Sequence, residues 1–154
     1  MIDVSQVIEE PMEIHFHNTS ADEASFVRII FRLAEGANLT LIESHSGWGH
    51  TQLVSDVYQH EDSMLRHLRL HQAEDTQVSL LLNRVSLDAR AHYHNVAISL
   101  SGGLGRLETR VTFNAPGSHA GLATALLSGG KQHIDITTRL NHLSADTTSD
   151  TIAR

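Results

Sequence analysis

Histidine is the chemically capable residue this chain uses most, with 12 among 154 positions, several of them two residues apart. His15 and His17 form one such pair, and His92 and His94 another. On a strand, residues two apart share a face, so each pair could chelate a transition metal. With a nearby Glu such a pair would suggest a cupin-like, His-dependent metal-binding β protein. After His94, however, no acid appears before Glu108, and after His17 the first acids are Asp22 and Glu23. The second cupin element has only an echo in Pro116-Gly117-Ser118-His119. Both pairs are therefore expected on solvated strand faces. His67 and His71 flank Leu68-Arg69-Leu70; a guanidinium between them disfavours a bound cation, and they too are expected at the surface. No metal ligand is assigned, and cofactor-binding residues stay open.

Other chemistries find less to work with. The absence of cysteine removes disulfides, a thiolate nucleophile and any all-cysteine cluster site within these residues. Leu127-Ser128-Gly129-Gly130-Lys131-Gln132 looks like the signature of ABC ATPases, and Leu100-Ser101-Gly102-Gly103 repeats its start. That signature acts opposite a G-x-x-x-x-G-K-[ST] phosphate loop, which is missing, so these glycines read as turns and the chain is not expected to be an enzyme. No G-x-S-x-G nucleophile elbow is present. Glu9/Glu10, Asp22/Glu23 and Glu74/Asp75 sit in polar, turn-like context and read as solvated loop charges. No catalytic residue is assigned.

The composition narrows the class. Hydrophobic residues make up 40% of the chain, enough for a packed core in one domain spanning residues 1–154. A net charge of −7, one lysine (Lys131) and scattered arginines argue against nucleic acid as a partner. The sequence shows neither an apolar run of membrane-spanning length nor the features of a signal peptide, so a cytoplasmic protein without membrane contact is expected.

The elements that must position these residues are strands. Apolar residues recur with period two: Met12, Ile14, Phe16; Val96, Ile98, Leu100; Leu107, Val111, Phe113; Ile134, Ile136, Leu140. Each set predicts one buried and one wet face, and no segment carries a helical stripe. Turn formers recur at Glu35-Gly36-Ala37, Glu61-Asp62-Ser63, Leu87-Asp88-Ala89 and Pro116-Gly117-Ser118, spaced by 26, 26 and 29 residues. A β-like run follows each: Asn38–Glu43, Met64–His71, Arg90–Leu100 and His119–Leu127. This spacing suits a solenoid of stacked coils, with a sandwich or barrel as the alternative.

The order of features toward the C-terminus resembles the SufB/SufD family of iron–sulfur assembly proteins, and its SufD branch in particular. The resemblance rests on Glu35-Gly36-Ala37, Leu41-Ile42-Glu43-Ser44-His45, Gly103-Leu104-Gly105-Arg106-Leu107-Glu108, Gln132-His133-Ile134-Asp135, Asn141-His142 and Thr147-Thr148-Ser149. It implies an all-β, right-handed parallel β-helix, here without the family's terminal helical regions and thus a truncated fragment of a longer SufD-type chain. It implies a non-catalytic scaffold of the SufBCD complex, pairing with a SufB-like subunit and coupled to a SufC-like ATPase whose docking domain is missing here. No cofactor is expected on this chain alone; the iron–sulfur cluster would form transiently on the full complex. The family's histidine ligand would fall beyond Arg154, so no cluster residue is carried over, and His133 and His142 are expected in coil packing and turn hydrogen bonds. An extracellular β-helix binding module is the further alternative.

Overall fold

The computed structural model describes residues 1–100 and 102–154, so the turn Leu100-Ser101-Gly102-Gly103 lies outside the described residues at Ser101. Twelve strands follow one another: β1 (Ile2–Val4), β2 (Met12–Asn18), β3 (Ala24–Leu33), β4 (Asn38–Gly47), β5 (His50–Gln59), β6 (Met64–His71), β7 (Val78–Leu87), β8 (His92–Ser99), β9 (Leu104–Phe113), β10 (His119–Leu126), β11 (His133–His142) and β12 (Thr148–Ala153). They form two six-stranded sheets, ordered β1-β3-β5-β7-β9-β11 and β12-β10-β8-β6-β4-β2, with every pairing parallel. Successive strands alternate between the sheets, so the chain winds as a right-handed parallel β-helix. The two sheets do not close into a barrel, which removes the cupin-like reading.

Each coil is set by a sharp corner. Gly36, Asp62, Arg90, Gly117 and Asp146 all adopt the left-handed conformation, with φ between 54° and 75°. Their amides stack from coil to coil: Gly36 donates to the Glu61 carbonyl, Asp62 to Ala89 and Arg90 to Pro116, each at 3.0 Å. The third corner thus falls at Arg90 rather than at Asp88. A non-glycine residue in this region is strained, and Arg90 is held there by a fork of bonds to Asp62 and Glu61 on the coil below. At the opposite corner Gly47 has φ 105°, and a Cβ there would sit 2.0 Å from the Asn18 carbonyl oxygen, so only glycine fits.

Three residues after Gly36, Asp62, Arg90 and Gly117 the side chain points into the lumen: Leu39, Leu65, Tyr93 and Ala120 are all fully buried. This phase corrects one face assignment. On β8, Tyr93, Asn95, Ala97 and Ser99 are inside, whereas Val96 and Leu100 are about two-fifths exposed. The assignments for β2 and β9 hold, with Phe113, Val111 and Leu107 buried. The apolar core has two parts. A large cluster gathers Phe31, Leu33, Leu39, Leu65, Val85 and Phe113 near the left-handed corners, and a smaller stack unites Leu53, Leu81 and Leu107 with Ile136 against them.

Clean alternation is missing from β3 and β7 because some of their outward positions are also apolar, as in Val78-Ser79-Leu80-Leu81-Leu82, and from β5 because its inward positions include Thr51, Ser55 and Gln59. Parallel sheets tolerate this pattern, since their ladders do not require one polar face. The lumen phase separates two adjacent leucines: Leu81 faces the stack and Leu82 faces outward. Leu81→Ala is expected to cost about 2–4 kcal/mol of unfolding free energy and Leu82→Ala less than about 1 kcal/mol. Chemical denaturation checks this, and equal costs would contradict the winding phase.

Candidate functional site

Between the two apolar clusters the lumen is polar. Sheet register places Ser55, Asn83 and Thr109 in one inward row of β5, β7 and β9. From the other sheet come Glu43 and His45 of β4, His67, Arg69 and His71 of β6, and Asn95 and Ser99 of β8. The expectation of a surface position for His67, Arg69 and His71 is therefore overturned: all three are no more than 2% exposed. Their phase follows from the Asp62 corner, which turns Leu65 inward and every second residue with it.

Glu43 is the hub of this seam. Its Oε1 accepts from His45 Nε2 at 2.6 Å and from Arg69 Nε at 3.0 Å, and its Oε2 lies 3.2 Å from His67 Nε2. The other nitrogen of His67 meets the Tyr93 hydroxyl at 3.2 Å, which also accepts from Asn83 Nδ2 at 2.7 Å. His71 Nδ1 pairs with Ser99 Oγ at 2.9 Å. Several groups have no partner among the described residues: both Arg69 terminal nitrogens, His71 Nε2, His45 Nδ1, Ser55 Oγ and Asn83 Oδ1. Buried polar groups of this kind are ordinarily satisfied by internal water.

Burial and pairing set the charges. Burial alone would raise the Glu43 carboxyl, but Arg69 and the two histidine bonds outweigh it and hold the group well below the usual carboxylate range. Burial lowers His67, partly offset by Glu43. It lowers His71 from 6.5 to about 4, with His45 and Arg69 adding to the effect. At neutral pH the seam thus contains one carboxylate opposite one guanidinium, with His67 and His71 neutral. It can hold water, accept a proton at His71 when strongly driven, and present fixed donors. It has no thiolate or other soft iron ligand.

The histidine pairs lie outside. His15 and His17 stack on β2 with ring centres 5.9 Å apart, and their Nδ1 atoms bond Ser44 and Ser46 at 2.5 and 2.7 Å. His92 and His94 of β8 meet His119 of β10, with ring centres 5.5 to 6.4 Å apart. Burial, then His119 and His92, lowers His94. Among the described residues no three His, Asp or Glu side chains are arranged to hold a metal. The six loop carboxylates Glu9, Glu10, Asp22, Glu23, Glu74 and Asp75 are exposed. Leu127 to Gln132 is a loop with Gly130 at φ 61°, closed by a Gly129 amide bond to Gln132 Oε1. His142 stacks on Phe113 at 4.2 Å and bonds Thr147 Oγ1 at 2.7 Å, while His133 is exposed.

The seam was missed although a signal for it existed. Aligning the coils on their left-handed corners puts His67 in the column of Leu41, and Arg69 and His71 in the columns of Glu43 and His45. One such column holding both an acid and a guanidinium marks an internal pair, which period-two reading of each strand alone does not reveal.

Residues 15–154 match the family described as SUF system FeS cluster assembly, SufBD core domain. No curated protein matches the chain.

Two outcomes test the seam. The unfolded chain takes up protons on its histidines below pH 6.5, whereas native His71 resists until about pH 4. Stability is therefore fully present above pH 6.5 and declines as pH falls through this window, His71 alone contributing a loss of about 3 kcal/mol by its lower end. Glu43, lowered in the native state, adds a loss of the same sign at still lower pH. Urea midpoints from pH 7.5 to 4.5 should fall steadily, and less steeply in His71→Asn; a flat profile would refute the burial of these imidazoles. Secondly, Arg69→Met alone should cost about 3–5 kcal/mol by stranding Glu43, and adding Glu43→Gln should recover much of it.

Proposed function

Because the chain belongs to the SufBD core family of the SUF iron–sulfur assembly system, we propose that it is a SufD-type, non-catalytic scaffold. In this reading it pairs with a SufB-like subunit, and through that pair responds to a SufC-like ATPase in the cytoplasm. The observation that carries the reading is the family match over residues 15–154 in a chain without cysteine. A SufB/SufD core whose lumen offers Glu43, Arg69 and histidines, but no thiolate, supports a partner's site more readily than it forms a soft-ligand site of its own.

The mechanical argument is the continuity of the ladders. Ten parallel pairings tie all twelve strands, so force applied at one coil reaches the others through backbone hydrogen bonds. An ATP-driven partner could re-aim such a body as a unit. The cluster is cargo of the whole complex in this reading, built with ligands from the partner subunit. The extracellular binding-module alternative has no such support: aromatic residues for stacking on sugars are only 5% of the chain.

Tagged chain co-expressed with SufB- and SufC-type proteins of the same genome should capture the SufB-type subunit in equimolar amount. Capture failing while SufB- and SufC-type proteins still assemble with each other would refute the pairing. Anaerobic reconstitution of the chain alone with iron and sulfide should give no cluster absorption; a stable cluster on the isolated chain would overturn the scaffold assignment.

A further inference from the structure

The outward face of the sheet β1-β3-β5-β7-β9-β11 gathers arginines that are far apart in sequence. Strand register aligns Asp56, Arg84, Arg110 and Arg139 in one row across β5, β7, β9 and β11. Arg28, Arg32 and Arg106 project from the same face, so six of the ten arginines lie there, against the four carboxylates Asp3, Asp56, Glu108 and Asp135. The excess of two positive charges stands out in a chain of net charge −7.

Three adjacent guanidiniums on strands about 4.8 Å apart repel one another, and a merely structural face would not favour that row. The carboxylates beneath them do not cancel it at the surface. Asp56 is pulled under Arg28 and Arg84, with side-chain exposure of 4% against their 61% and 46%. Glu108 is 12% exposed below Arg110 at 41%. The ion pairs of Arg84 and Arg110 run through Nε, at 2.6 Å each, which leaves their terminal nitrogens unspent on the outer side. Arg139 has no ion pair among the described residues. Next to this row runs a second one, Tyr58, Ser86, Thr112 and Asn141, which supplies hydroxyl and amide donors. Asp56, Arg84 and Arg110 of the first row and all four residues of the second line an open groove of about 360 Å³, and Arg139 stands next to Arg110 on the adjoining strand.

We propose that this groove is a docking site for a carboxylate-rich segment of a partner protein, laid across strands β7, β9 and β11. Charge complementarity selects the occupant. Free guanidinium forks match carboxylates, and the neighbouring hydroxyls and amide donate to the segment's carboxylates and backbone carbonyls. The row spans only three strands, roughly 10 Å between its outer members, which suits a short acidic run. A long nucleic-acid backbone would extend past it onto the acidic remainder of the chain, where it is repelled. The inference does not depend on which SUF subunit the chain represents.

The probe is a fluorescein-labelled octaglutamate peptide titrated with the whole chain by anisotropy, with a glycine-serine peptide of equal length as reference. The expected result is binding to octaglutamate alone, weakened at least tenfold between 0.05 and 0.3 M salt, in line with a contact dominated by charge. Arg139→Gln, which breaks no ion pair, should weaken it severalfold, and Arg110→Glu with Arg139→Glu should abolish it. Arg66→Gln, on the opposite sheet, should leave it unchanged. Equal binding of both peptides, or an equal loss in Arg66→Gln, would overturn the assignment. So would displacement of octaglutamate by equimolar inorganic phosphate, which would mark a small-anion site instead.

Discussion

The constraint on which this structure depends is the backbone ladder between consecutive coils. A parallel ladder fixes which residues stand above which, and a slip of one position would turn every side chain of a strand to the other face. The left-handed corners from Gly36 to Asp146 lock that register, since each coil must turn at the same place for its amide to reach the next coil's carbonyl. Once the corners are stacked, rows of side chains follow across the sheets. The leucine stack of Leu53, Leu81 and Leu107, the polar row of Ser55, Asn83 and Thr109, and the outer row from Asp56 to Arg139 are consequences of one register.

The same constraint explains how a lumen can tolerate charges. An isolated buried carboxylate or guanidinium is costly, and only close pairing with further hydrogen bonds offsets it. Residues stacked directly on neighbouring coils meet this condition, and Glu43 and Arg69 are such a pair. Burial keeps His67 beside Glu43, and His71 further along the seam, as neutral rings, so neither adds a buried charge at neutral pH. The apolar clusters on either side carry the packing.

Outside, charge is distributed unevenly for the same geometric reason. Arginines separated by 26 or 29 residues in sequence become neighbours when the coils stack, as Arg84, Arg110 and Arg139 do. The carboxylate partners of Arg84 and Arg110 are more deeply buried than the arginines and leave the guanidiniums uppermost. The outer face thereby becomes distinct and oriented, while the inner rows keep the body rigid.

The sequence by itself determined the class and the repeat. Period-two patterning and the turn formers at Gly36, Asp62 and Gly117 were legible because backbone geometry imposes them locally, and the absence of cysteine is read directly from composition. The family resemblance also lay in linear order. What only the tertiary structure decided was the phase of each strand and the company of each polar residue. His67, Arg69 and His71 look like a solvated trio in isolation, and Val96 and Ile98 look buried. Whether a strand's odd or even positions face the lumen is set by the corner that precedes it, and the third corner is at Arg90, two residues beyond the turn-like Asp88. The partner of Glu43 lies 26 residues away, on the next coil. Pairings across such distances exist only once the coils are stacked, because the energy that selects them is spread over the whole ladder.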